Sequence, residues 1–128
     1  MLFGCNKTGT TSTGTVLDSI DTTLSKVIGS GTFISAPGES VSGRALLLSN
    51  VNSYSLALEN FKTANGPDLY LFISKQRSPN TIIDLGRLKS TNGNQVYALA
   101  MPININDYKY VLIYCKQYNV LFGSAELK

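Results

Sequence analysis

The stretch Tyr54-Ser55-Leu56-Ala57-Leu58-Glu59 alternates large apolar residues with small or polar ones, the period of a strand with one face in a core and the other toward water. Tyr54, Leu56 and Leu58 therefore share the inner face, and Ser55, Ala57 and Glu59 the outer one. On either side lie two runs of a different kind, Leu46-Leu47-Leu48 and Tyr110-Val111-Leu112-Ile113-Tyr114-Cys115. Runs so short and so continuously apolar mark central strands covered on both faces. In the second, Val111, Ile113 and Cys115 fall on one face and Leu112 and Tyr114 on the other.

The same pattern extends outward from these strands. Short segments rich in β-branched and aromatic residues recur at 31–35, 41–49, 54–59, 69–74, 81–85, 96–100, 110–116 and 120–127. Between them stand Ala36-Pro37-Gly38, Asn50-Val51-Asn52-Ser53, Asn65-Gly66-Pro67-Asp68, Ser78-Pro79-Asn80 and Thr91-Asn92-Gly93-Asn94, each with the Gly, Pro or Asn that turns require. Regular spacing of this kind predicts an all-β chain. We expect an antiparallel β-sandwich, jelly-roll-like, of about eight strands over residues 29–128.

Residues 1–28 read differently. Leu2-Phe3-Gly4-Cys5 leads into a Thr/Ser/Gly-rich stretch through Thr15, which resembles the end of a bacterial lipoprotein signal followed by a flexible tether. Phe3 is bulkier than the small residue usual at that place, and the charged and apolar segments of a signal peptide do not precede it. The resemblance implies that Cys5 carries a lipid, attaching the protein to a membrane of the cell envelope on the periplasmic or cell-surface side. Leu17, Ile20, Leu24, Val27 and Ile28 then follow a helix-like spacing. Ser19, Thr22, Thr23 and Ser25 compete for backbone hydrogen bonds, so a short helix and an extended segment are both open here.

Composition removes several kinds of function. The 128 residues suffice for one domain and one core. The net charge is only +3, with basic residues spread from Lys7 to Lys128, so the basic footprint of a nucleic-acid binder is missing. Histidine is absent, which removes Ser/His/Asp and Cys/His nucleophile pairs and imidazole metal sites. Two cysteines cannot furnish a four-ligand zinc or iron–sulfur site. No catalytic nucleophile and base pair is legible, and no metal or cofactor is required.

Taken in order, Gly31-Thr32-Phe33, Val41-Ser42-Gly43-Arg44-Ala45, Leu58-Glu59-Asn60-Phe61, Asn65-Gly66-Pro67-Asp68-Leu69-Tyr70-Leu71-Phe72-Ile73-Ser74, Asp84-Leu85-Gly86-Arg87-Leu88-Lys89, Gly93-Asn94-Gln95-Val96-Tyr97, Val111-Leu112-Ile113-Tyr114-Cys115-Lys116 and Val120-Leu121-Phe122-Gly123-Ser124-Ala125-Glu126-Leu127 resemble the DM-thirteen domain family, the Skeletor-type or electron-transfer DM module. The resemblance implies a small extracytoplasmic β-sandwich, sometimes joined to haem-binding or cytochrome modules. It also implies a redox role centred on the cysteine that corresponds to Cys115. Tyr114 stands where family members often have Trp, and no haem module is legible within these 128 residues.

The residues themselves leave two roles for Cys115. It is a lone thiol able to ligate haem iron or undergo oxidation, or a small core hydrophobe beside Val111 and Ile113. A bridge to Cys5 is a third arrangement, which lipidation of Cys5 excludes. Asp68 and Asn65 form a candidate ligand or cation loop, with Asp84 or Asp107 as further oxygen donors; the structural counterpart is a turn held by the Asp68 side chain. Tyr108 and Tyr118, at predicted strand edges, are candidates for a contact surface. Lys75-Gln76-Arg77 and Arg87-Leu88-Lys89 read as solvated positions. Two functions follow: a redox accessory domain whose reactive group is Cys115 and whose partner is a redox protein, or a non-catalytic envelope module binding a glycan or protein with Cys115 in its core.

Overall fold

The computed structural model describes residue 20 and residues 25–128. Eight strands follow one another: β1 Lys26–Ser35, β2 Val41–Ser49, β3 Tyr54–Thr63, β4 Leu69–Ser74, β5 Ile82–Arg87, β6 Gln95–Leu99, β7 Tyr110–Cys115 and β8 Val120–Glu126. They form one antiparallel sheet in the order β5-β4-β7-β8-β1-β2-β3-β6. The expected sandwich is thus a single sheet folded over on itself, nearly closed.

The fold-over lies in β1. Residues from Lys26 to Thr32 pair with β2, while Phe33, Ile34 and Ser35 pair with Ala125, Ser124 and Gly123 of β8. One strand therefore serves both layers. Ser30 N donates to Lys128 O at 3.2 Å and Lys128 N to Ser30 O at 2.9 Å, carrying the contact with the C-terminal segment past the ladder. Gly31 makes this approach feasible, because a Cβ there would stand 2.1 Å from Glu126 O. A bulge between Val27 and Gly29 adds to the bend.

The core lies between the layers. β1, β2, β3 and β6 contribute Phe33, Ala45, Leu47, Leu56, Leu58, Phe61 and Tyr97; β4, β7 and β8 contribute Leu69, Leu71, Ile73, Val111, Ile113, Cys115, Phe122 and Ala125. Phe33 and Phe61 meet edge to face with centroids 5.4 Å apart, the arrangement favoured by the ring quadrupole. The alternation read at Leu56 and Leu58 holds, and so does the face assignment in β7. Leu46, Leu48 and Ala57 are buried on the opposite face of the first layer, with Ile20 and Val96 packed against them. This explains the uninterrupted leucine run.

β2 and β4 keep their predicted bounds, β5 to β8 shift by one or two residues at an end, and β1 and β3 are longer than predicted by more than that. β3 continues to Thr63, because one extra residue near Asn60, whose φ is 52°, bulges out and lets pairing resume at Ser42↔Lys62 and Val41↔Thr63. β1 begins at Lys26, so Val27 and Ile28 are strand residues and not the end of a helix. The rest of the candidate helix, the tether and Cys5 lie outside the described residues.

The free edges, β5 and β6, are tied through side chains. Lys89 N donates to the Tyr97 hydroxyl at 2.8 Å, that hydroxyl to Gln95 Oε1 at 2.5 Å, and Gln95 Nε2 to Ser90 O at 2.6 Å. Gln95 is fully buried, so its amide is satisfied by this seam where no ladder exists.

The glycines test the fold-over directly. Gly31→Ala must push β1 off β8 and is expected to destabilise the domain by about 2–3 kcal/mol. Gly38 has φ +80° but open space around a Cβ, so Gly38→Ala should cost only about 1 kcal/mol. Urea denaturation of the two variants measures the difference; equal losses would exclude the steric account.

Candidate functional site

β7 is the third strand from the β5 edge, flanked by β4 and β8, with Cys115 opposite Leu69 on one side and Val120 on the other. Its thiol points into the core, is 1% exposed and is free of any disulfide. Tyr114 and Lys116, one residue to either side, point to the other face of the sheet, as strand alternation demands. Lys116 accordingly pairs with Asp84 and not with the thiol.

That outer face carries an ordered group of rings and charges. Tyr70 and Phe72 project from β4 with centroids 6.4 Å apart, and Phe72 meets Tyr114 of β7 at 5.5 Å. Lys116 Nζ stands 3.8 Å from the centre of the Tyr70 ring and 5.7 Å from that of Phe72, and the Arg87 guanidinium is 5.2 Å from the Tyr70 centre. Each cation is held by a carboxylate: Lys116 Nζ by Asp84 Oδ2 at 2.7 Å and Arg87 by Asp68 Oδ1 at 2.9 Å. The hydrogen bond to Asp84 is the largest influence on Lys116, whose pKa lies above the ordinary lysine value. Desolvation, the second influence, opposes that rise, and the charges of Asp84, Tyr70 and Asp68 add to it.

Tyr70 thus has two cations near its ring, Lys116 and Arg87, each of them paired with a carboxylate. Among the described residues, Tyr114 has Phe72 as its ring neighbour and no cation over it.

The structure distributes the sequence candidates unevenly. The Asp68 carbonyl accepts from Lys116 N at 3.1 Å, extending the β4–β7 ladder by one bond, and its carboxylate holds Arg87. Asn65 is exposed in the same loop. Tyr118, 63% exposed, lies in the β7–β8 turn at this end. Tyr108 lies at the other end of β7, packed against the core with Lys75 5.4 Å from its ring. Asp107 belongs to that far end too, in the turn closed by its N–H to Asn104 O. Asp68 and Asp84 do come together, but Arg87 and Lys116 occupy their oxygens. Among the described residues no group of three metal-ligating side chains forms.

The sequence model of one family, electron transfer DM13, matches residues 32–127. The chain belongs to the DM13 family. Its family description supports a redox role for the domain. No curated protein and no solved structure matches the chain.

Inside this DM13 domain, sequence reasoning missed the roles of Tyr70, Arg87 and Arg77. Arg77 folds back over the second layer, with NH1 donating to Ser124 Oγ at 3.0 Å and its guanidinium 4.8 Å from the Tyr110 ring. The available signal was the pattern in 69–74 and 110–115, where both faces carry large residues. An outer face so aromatic needs cover, and the neighbouring cations supply it.

Because Lys116 has its pKa raised in the folded state, its contribution is complete below the unfolded value of 10.5 and fades as pH rises through the higher folded value. Stability of the native domain should therefore fall more steeply above that pH than stability of Lys116→Gln. Denaturation curves across the alkaline range check this; parallel slopes would remove the Lys116–Asp84 pair from the account.

Proposed function

We propose that this DM13 domain is an extracytoplasmic, lipid-anchored accessory of a redox system that acts by docking a partner protein, with Cys115 serving as a core residue. The carrying observation is the burial of the Cys115 thiol, 1% exposed among Leu69, Val111 and Ile113. A thiol in that position meets neither a partner's disulfide nor a soluble oxidant unless the layers separate. The redox description of the family then points to a partner that carries the electrons, an envelope protein with its own cofactor. Docking is assigned to the Tyr70, Tyr114, Lys116, Arg87 face and the adjoining Tyr118 turn, where aromatic area and fixed charge occur together. Arg and Tyr are the residues that most often dominate protein contacts.

Haem ligation by Cys115 fits poorly. A macrocycle beside the sulfur would displace the side chains that fill the core there, each of which is tightly packed. Attachment rests on the Leu2-Phe3-Gly4-Cys5 sequence, with the lipid on Cys5 placing the domain at the envelope surface.

Thiol labelling of the folded full chain, mapped to each cysteine by mass spectrometry, tests the central point. Cys115 should react only after denaturation, and Cys115→Ala should keep whatever partner binding the native protein shows. Complete native-state labelling of Cys115 within minutes, or a thiolate-type haem spectrum lost in Cys115→Ser, would restore the reactive-thiol alternative. The same spectra report the mass of a lipid on Cys5; an unmodified Cys5 in protein isolated from native membranes would remove the anchor.

A further inference from the structure

Where β1 passes between the two layers, its outward side is bordered by two adjoining hollows on the surface. The first, about 430 Å³, is lined by Ser30 and Thr32 of β1, Arg44 of β2, Arg77 of the β4–β5 loop, and Glu126 and Lys128 at the C-terminal end. Arg44, Arg77 and Lys128 share this hollow with Glu126, and Glu59 pairs with Arg44 beside it, so the cations outnumber the carboxylates by one. The second, about 290 Å³, is lined mainly by Ile34, Ala36, Pro37, Leu121 and Gly123, with Arg77 and Ser78 at its border. Ile34 and Arg77 belong to both, so a charged compartment continues into an apolar one.

Both compartments are built before any ligand arrives. Arg77 is fixed by Ser124 Oγ at 3.0 Å, by Glu126 at 3.6 Å and by the Tyr110 ring, and Arg44 by Glu59 at 3.2 Å. A guanidinium held in place loses little freedom on binding a second oxyanion. Gly31, which also lines the charged hollow, lets β1 lie so close to the backbone of Glu126 that the two strands form one continuous wall. Ile34, 59% exposed on a strand whose alternate residue Phe33 is buried, gains nothing for folding from its large apolar side chain.

We infer that these joined hollows bind an anionic amphiphile, its phosphate group between Arg44, Arg77 and Lys128 and its apolar chain against Ile34, Pro37 and Leu121. Phosphate suits paired guanidinium groups flanked by hydroxyls. The site is separate from the Tyr70 face and does not depend on the docking reading.

Titration of the full chain, followed by amide NMR shifts of Thr32, Ile34 and Ser124, uses two soluble probes, inorganic phosphate and dihexanoyl phosphatidate below its micelle concentration. The phosphatidate should bind at least about tenfold more tightly, since each buried methylene adds to affinity. Arg44→Gln combined with Lys128→Gln should weaken both probes by about tenfold. Ile34→Asn should weaken the phosphatidate alone, and Lys109→Gln, an exposed cation outside the hollows, should change neither. Equal affinity for the two probes, or an equal loss in Lys109→Gln, overturns the inference. Sedimentation with vesicles of phosphatidylcholine, alone or mixed with phosphatidylglycerol, distinguishes the source. Binding to the mixed vesicles that is lost in the Arg44/Lys128 and Ile34 variants supports a bilayer lipid, and binding of the free phosphatidate alone supports a soluble amphiphile.

Discussion

The contact of β1 with β8 is the constraint on which the rest of this molecule depends. A strand hydrogen-bonded to β2 along its first part and to β8 along its second is what converts eight strands in a row into two facing layers. Gly31 permits the close approach, and the reciprocal Ser30 and Lys128 bonds extend it. The inward set from Leu47, Leu56 and Leu58 then meets that from Leu71, Ile73, Val111 and Ile113. Burying these side chains is the main favourable term, at about 1.5–3 kcal/mol for each large one before the entropy of ordering the chain is subtracted.

The position of Cys115 follows from that arrangement. Strand alternation gives one face of β7 to the core and the other to Tyr114 and Lys116, so the thiol and its nearest charge are separated by the sheet itself. The two features that a redox reading would combine, a sulfur and an adjacent cation, are thereby kept apart. What the outer face has in their place is a set of rings whose charges are compensated locally, Lys116 by Asp84 and Arg87 by Asp68. In the docking proposed for this face, specificity would reside in the pattern of those charges more than in their sum.

Much of the fold was legible in the sequence, for identifiable reasons. β2 and β4 have the predicted bounds because Pro37-Gly38 and Gly66-Pro67-Asp68 mark their starts and polar turns mark their ends. β3 was read too short, since a bulge at Asn60 has no signature beyond an asparagine able to adopt positive φ. The start of β1 was hidden by its Ser and Gly content. The candidate site was the least legible part. Arg87 lies on β5, Tyr70 on β4 and Lys116 directly after β7, so their adjacency comes from the β5-β4-β7 order, and that order is a property of the assembled sheet. Cys115 was the reverse case: its neighbours Val111 and Ile113 already stated its environment.

The pairing of the first strand with the last also bears on how the chain acquires this structure. Lys26–Ser35 and Val120–Glu126 are nearly a whole chain apart, so their ladder closes a loop that contains every other strand. Loops of that length are entropically costly and slow to close. The hairpins β2–β3, β4–β5 and β7–β8 are local by comparison and can form independently. During synthesis, β1 has β2 as an early neighbour but must wait for Val120–Glu126 to leave the ribosome before its second edge is covered. The eighth strand thus acts as the fastening of the whole domain, and the layers cannot lock until it arrives.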